Sequence, residues 1–177
     1  MPSKRILMVC LGNICRSPLA EGILRAKARA AGLDWEIASA GTNGYHTGEA
    51  PHPLSRKVAR LNGIDISDQR ARPFTATDFQ RFDQIYAMAG DVITDMRRIA
   101  GRQFEPSKVD LLMNEVHPGR NEDIPDPWSG PEPGYHEVYA MIDEAADHLI
   151  AKYGQPARPI QPEPIQPQQI QSTTKKA

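Results

Sequence analysis

Ten consecutive residues, Val9-Cys10-Leu11-Gly12-Asn13-Ile14-Cys15-Arg16-Ser17-Pro18, concentrate the chemistry of this chain. They place a cysteine six residues before an arginine at the junction of a strand and a helix. A loop in this place can curl until successive backbone N–H groups face one point, with a helix N-terminus behind them. Such a nest binds an anion of phosphate size. Cys10, at its start, faces the same point, where positive partial charge stabilises a thiolate. Arg16, at its end, can fork onto two phosphate oxygens. Nucleophile, cradle and cationic clamp fall within one short segment.

Taken singly, these residues have plainer readings. A cysteine ending a buried strand packs as a small hydrophobe, and a glycine at such a junction makes a turn. Cys10, Gly12, Asn13, Arg16 and Ser17 occurring together in this order point to a phosphate-handling thiol. The nucleotide-binding lysine and spacing of GxxxxGK[ST] are absent. Cys10 and Cys15 are the only cysteines, and none of His46, His52, His117, His136 or His148 pairs at ligand spacing, which argues against zinc. Asn13 suits a left-handed residue that lets the loop curl without a second glycine. Ser17 reads equally as a hydroxyl partner of the Cys10 sulfur or as a helix N-cap. The loop contains no acid. Asp126, in Ile124-Pro125-Asp126-Pro127-Trp128, is the best candidate, although an Asp before proline is also an ordinary turn residue. Tyr45 and Trp128 are placed to sandwich a phenyl ring, and Ile14 offers an apolar wall.

The elements that must position these groups alternate strand with helix, the pattern of an α/β domain around a parallel sheet. The spacing predicts strands at Arg5–Val9, Trp35–Ala40, Gln84–Met88 and Lys108–Leu112. It predicts helices at Pro18–Ala31, Pro53–Leu61 and Asp91–Ala100, and a short one opening at Thr77-Asp78-Phe79. In the first helix Leu19, Ile23, Ala26 and Ala30 form the expected inner stripe. A last helix carries Tyr135, Val138, Tyr139, Ile142, Leu149 and Tyr153 on one face. The Gly41–Gly48 loop has the makings of a pocket wall, and Asn114–Pro133 reads as a long loop of the kind that is functional or disordered. In parallel sheets ligands sit at the carboxyl ends of strands, where these loops and the Cys10 loop emerge.

The chain has 177 residues and a formal net charge of −1. That length fits one domain with a proper core, and the charge argues against nucleic acid or a membrane surface as partner. The apolar run after Arg5 stops at Gly12, too short for a signal peptide or for membrane insertion. Two close cysteines and no export signal indicate a reducing cytoplasm. Composition changes at Gln155, where prolines alternate with glutamines. The expectation is a domain over residues 1–154 and a disordered Pro/Gln-rich tail over 155–177, whose PxxP spacing fits SH3-type partners.

The string CLGNICRSP from Cys10 to Pro18, with Ala20-Glu21 after it and Asp126-Pro127 downstream, resembles the low-molecular-weight protein tyrosine phosphatase family. The resemblance runs from about Arg5 to Tyr153. It implies an α/β fold in three layers, a four-stranded parallel sheet flanked by helices, with the phosphate-binding loop between strand one and helix one. It also implies a cysteine-dependent phosphomonoesterase acting on phosphotyrosine proteins without metal or cofactor. On that footing Cys10 attacks in line and carries the phosphoryl group, while the Leu11–Arg16 amides and the Arg16 guanidinium hold its oxygens and Ser17 counts with them among the substrate-binding residues. Asp126 then protonates the leaving group and later activates water. Cys15 corresponds to the cysteine with which the family forms a reversible disulfide to its nucleophile. Arginine phosphatases and arsenate reductases share the fold. The former typically have threonine at the position of Ile14, and the latter need further cysteines. Three departures stand out. Asp68 occupies a place where animal members often have a histidine, Ala89 one where many have an aspartate, and Trp128-Ser129 replaces paired tyrosines.

Overall fold

The computed structural model describes residues 1–154, so the expected tail and its partner motif lie outside the described residues. Four strands, β1 (Lys4–Cys10), β2 (Trp35–Gly41), β3 (Gln84–Ala87) and β4 (Val109–Leu111), form one sheet in the order β2-β1-β3-β4. All three pairings are parallel. β1 is central, and Ile6 to Cys10 are buried throughout, as a strand covered on both faces requires.

Alternation along β1 divides the core in two. Ile6, Met8 and Cys10 face a layer made by α1 (Arg16–Ala30), α2 (Pro53–Leu61) and α5 (Glu132–Tyr153). Leu7 and Val9 face the opposite layer, which holds Phe79 of α3 (Asp78–Arg81) and Val92 and Met96 of α4 (Gly90–Ala100). This is the three-layer α/β arrangement expected. The chain leaves β1 through α1 to reach β2 on one side, then crosses back to β3 on the other. That reversal opens a crevice at the carboxyl end of β1, where open parallel sheets bind ligands.

Several boundaries differ from the sequence reading. α1 begins at Arg16 rather than Pro18, with Cys15 as its N-cap. Its buried stripe runs through Leu19, Ala20, Ile23, Leu24 and Ala28, whereas Ala26 and Ala30 are exposed. Alanine gives little hydrophobic contrast; at about 100° per residue Ala26 sits at the margin of the buried face, which runs from Leu19 round to Ala28, and Ala30 is the last residue of the helix. β3 stops one residue short of the expected Met88, and β4 is shorter than expected because Leu112 opens a 3₁₀ turn (Leu112–Glu115) and Lys108 closes another (Pro106–Lys108). α2 starts and stops where predicted, with His52 Nδ1 accepting Leu54 N–H at 3.1 Å as its cap and Gly63 following at φ 80°. Among the described residues no helix is long and apolar enough to cross a membrane.

Candidate active site

The segment Leu11 to Cys15 curls between β1 and α1 around Asn13, whose φ is 56°. Its side chain is fully used. Oδ1 accepts Arg72 N–H at 3.1 Å, while Nδ2 donates to Ser17 Oγ at 2.8 Å and Ser39 Oγ at 2.9 Å. The Asn13 N–H points at Cys10 Sγ, 3.3 Å away. Ser17 Oγ lies 3.0 Å from the same sulfur. Asn13 already donates to that oxygen, so the hydroxyl proton has two acceptors, the sulfur at 3.0 Å and Ala40 O at 3.5 Å. Ser17 is not the helix N-cap, a position that Cys15 occupies; its hydroxyl lies against the Cys10 sulfur instead.

The outer wall of the loop is tied down by its carbonyls. Cys10 O accepts Thr42 N–H at 3.0 Å, Leu11 O accepts Asn43 N–H at 2.9 Å, and Ile14 O accepts His52 N–H at 2.8 Å. Cys15 O accepts the Ser55 hydroxyl at 3.3 Å. In a planar trans peptide the next residue's N–H points opposite to the carbonyl. Anchoring these four oxygens outward therefore turns the N–H groups of Leu11, Gly12, Cys15 and Arg16 to the inner side. The amide-lined bowl is a consequence of where the carbonyls bond.

Support continues beneath the loop. Ser39 Oγ donates to Glu21 Oε1 at 3.0 Å, and Glu21 pairs with Arg25 at 3.1 Å. Burial pushes the Glu21 carboxyl up from its usual range, opposed by Arg25 and by the Ser39 hydrogen bonds. Asp68 adds a like charge that pushes the same way. Its neighbour Gln69 reaches α1, donating to Pro18 O at 3.1 Å. The shell behind Asn13 thus closes through Ser39, Glu21 and Arg25, and Asp68 acts on it as a like charge on Glu21.

Above the loop, the Arg16 side chain is almost wholly buried. Nη1 donates to Ile124 O at 2.9 Å, and Nη2 lies 3.6 Å from Asp126 Oδ2. Asp126 is 44% exposed, and its Oδ1 accepts Trp128 N–H at 3.1 Å. Ile124 N–H is held by Met88 O at 2.8 Å. Buried Ala89 brings no polar side chain to this junction.

A cavity of about 180 Å³ opens over the bowl. Cys10, Leu11, Gly12, Ile14, Cys15 and Arg16 form its floor, and Tyr45, Asp126 and Trp128 its rim, together with Asn43 and His46. Asn13 and Ser17, expected among the substrate-binding groups, do not line it; both are buried behind the loop. Tyr45 and Trp128 are exposed on the rim. His46 and Asn43 were not singled out from the sequence, although the Gly41–Gly48 wall was. His46 Nδ1 sits 2.7 Å from Glu49 Oε2, and its ring tilts toward Trp128 with centroids 6.3 Å apart. A Cβ on Gly12 would stand 3.2 Å from His46 Cδ2, so glycine lets the wall close on the floor. The acidic residue three places after His46 is the local signal for this clamp. Both cysteines are free and buried. Burial pushes the Cys15 thiol up to about 12, and its sulfur lies 3.8 Å from Tyr135 Oη.

A parallel α/β sheet with a cysteine-to-arginine anion bowl at the end of its central strand defines a class of phosphate-handling enzymes. Comparison with known proteins narrows it. The profile of the low molecular weight phosphotyrosine protein phosphatases matches residues 5–158. The low molecular weight protein-tyrosine-phosphatase of Streptomyces coelicolor is 37% identical over 151 residues, covering 83% of this chain and 92% of that protein. The crystal structure of YfkJ from Bacillus subtilis superposes with a TM-score of 0.77 at 35% identity, covering 84% of this chain and 92% of the other. A cysteine-to-serine mutant of YwlE arginine phosphatase, with its active-site serine phosphorylated, gives 0.77 at 25% identity, covering 84% and 97%. The chain belongs to the low molecular weight phosphotyrosine protein phosphatase family and is an enzyme of that class.

Proposed function

We propose that the enzyme hydrolyses phosphotyrosine in proteins through a phosphocysteine on Cys10, with Asp126 as general acid. The observation that carries this reading is that the Cys10 sulfur, the Arg16 guanidinium and the Asp126 carboxylate open on one cavity. Cys10 attacks phosphorus in line, forming the S–P bond as the ester P–O bond breaks. The inward amides and Arg16 hold the equatorial oxygens with charge already in place. A phenolate leaving group has a conjugate acid near pKa ~10, so a proton from Asp126 assists its departure. In the second step Asp126 takes a proton from water as that water attacks phosphorus, and the sulfur leaves with its electron pair. The Ser17 hydroxyl and Asn13 N–H stabilise that sulfur as an anion in both steps.

Tyr45 and Trp128 flank the substrate ring, and Ile14 packs against it. We assign the catalytic domain to residues 1–154 and an appended segment to 155–177. Two free thiols suit a reducing compartment such as the cytoplasm. Cys15 would act as the resolving thiol for an oxidised Cys10. A second reading, an arginine phosphatase, is supported by the similarity to YwlE.

One set of assays decides. Cys10→Ser should abolish turnover of p-nitrophenyl phosphate and retain phosphotyrosyl proteins on capture. Asp126→Ala should slow aryl phosphate cleavage by roughly 10²–10⁴-fold. Retained turnover in Cys10→Ser excludes the nucleophile, and an unchanged rate in Asp126→Ala moves the acid elsewhere. Higher kcat/KM on phosphoarginine peptides than on phosphotyrosine peptides would select the second reading.

A further inference from the structure

The loop that carries Asp126 reaches the site without help from residue 89, the N-cap of α4, which makes no side-chain cap hydrogen bond. The cap comes instead from a distant residue. Asp123 Oδ1 accepts the Gly90 N–H at 2.9 Å, setting a carboxylate at the positive end of an eleven-residue helix. The next residue, Ile124, is fully buried and bonded on both sides: its N–H to Met88 O at 2.8 Å and its carbonyl from Arg16 Nη1 at 2.9 Å. Beyond it, Pro125 and Pro127 bracket Asp126 and fix φ on either side. A stiff arm pinned at Ile124 turns about that point, so a displacement at residue 123 swings residue 126 as well.

We infer that Asp123 is a positioning residue: it docks the acid loop on the α4 N-terminus and acts on the reaction through Asp126. This rests on the assignment of Asp126 as general acid. Asp123 itself is exposed, makes its cap with one oxygen, and touches neither the bowl nor the cavity. Its removal therefore misplaces the acid while leaving nucleophile and cradle intact.

The experiment compares aryl phosphates of poor and good leaving groups, phenyl phosphate against 2,4-dinitrophenyl phosphate. The proteins are wild type, Asp123→Ala, Asp123→Asn, Asp126→Ala and the Asp123→Ala/Asp126→Ala double variant. Asp123→Ala should lower kcat/KM, which reports the steps through phosphoryl transfer to Cys10, by about three- to tenfold for phenyl phosphate, the rate equivalent of one lost helix cap, and by less than twofold for the dinitrophenyl ester. Asp123→Asn keeps an oxygen acceptor and should recover most of the loss. In the Asp126→Ala background Asp123→Ala should cost nothing further. Equal losses on both esters, full additivity in the double variant, or no loss at all would overturn the inference. If Asp126→Ala itself shows no dependence on the leaving group, the acid assignment falls and takes the positioning role with it.

Discussion

Adding one methyl group at Gly41 tests whether the bowl is held by close backbone packing. Gly41 ends β2 opposite Cys10, and its φ lies outside the left-handed region, so alanine is conformationally acceptable there. The cost is therefore steric. An alanine Cβ would stand 2.9 Å from Leu11 O, 3.0 Å from Asn13 Cβ and 3.0 Å from Asn13 N. These contacts are about half an ångström short of ordinary van der Waals separation. Gly41 has nowhere to retreat, because its N–H bonds Arg72 O at 2.9 Å and its carbonyl accepts Phe74 N–H at 2.7 Å. The loop must yield, and the atoms that move are those that bond Asn43 and aim at the Cys10 sulfur. Overpacking of this kind costs about 1–3 kcal/mol of stability. A 1 Å misplacement costs on the order of 10²-fold in rate, so half of that predicts about a tenfold fall in kcat/KM. p-Nitrophenyl phosphate kinetics, competitive inhibition by inorganic phosphate and thermal unfolding measure the three consequences. Gly44→Ala is the control, since its Cβ would meet only Thr47 Oγ1 at 3.7 Å. Wild-type kcat/KM and phosphate inhibition in Gly41→Ala would refute the argument that backbone contact shapes the bowl.

Two further predictions address the buried groups around the loop. Peroxide should convert Cys10 to a sulfenic acid, which Cys15–SH then condenses with, losing water and forming a disulfide. Activity should return on thiol reduction in the wild type and remain lost in Cys15→Ser, while equal recovery in both would remove Cys15 from that role. The second concerns Glu21, whose carboxyl burial pushes up from 4.5. A raised folded value means a stability contribution present below the unfolded value and lost as pH rises through the folded one. Relative to Glu21→Gln, the wild type should therefore become less stable on going from pH 4 to pH 7 in denaturant titrations. The opposite slope would show that Arg25, not desolvation, dominates.

The fold was legible where local signals were strong. An apolar run marked β1, apolar residues broken by Glu36, Ser39 and Asp110 still marked β2 and β4, and Pro53 with Asn62-Gly63 fixed both ends of α2. The ten-residue string located the bowl because its parts are contiguous. The start of α1 was not legible, since no capping side chain marks it. It is set by His52 and Ser55, which hold the preceding carbonyls from another part of the chain. The support shell was hidden for the same reason. Asn13 meets Ser39, Ser39 meets Glu21, and Arg72 meets Asn13 only after β1, β2 and α1 have come together. His46 joined the site through Trp128 on a remote loop, a pairing that no periodicity encodes.

Arg16 ties these parts into one unit. A guanidinium this buried needs partners, because an uncompensated charge away from water is expensive. Nη1 is committed to the Ile124 carbonyl, the fixed point of the acid loop. Nη2 is not: at 3.6 Å from Asp126 Oδ2 it has charge compensation without a hydrogen bond of normal length. An entering phosphate dianion offers this second nitrogen a better acceptor, while the first keeps its hold on the loop. Oxyanion binding and docking of the acid loop thus share one side chain. Because coupling between two equilibria is reciprocal, a change that breaks the Arg16–Ile124 contact and frees the loop weakens phosphate binding by the factor with which phosphate tightens the loop, whereas a change that only tilts the loop about Ile124 leaves that binding in place.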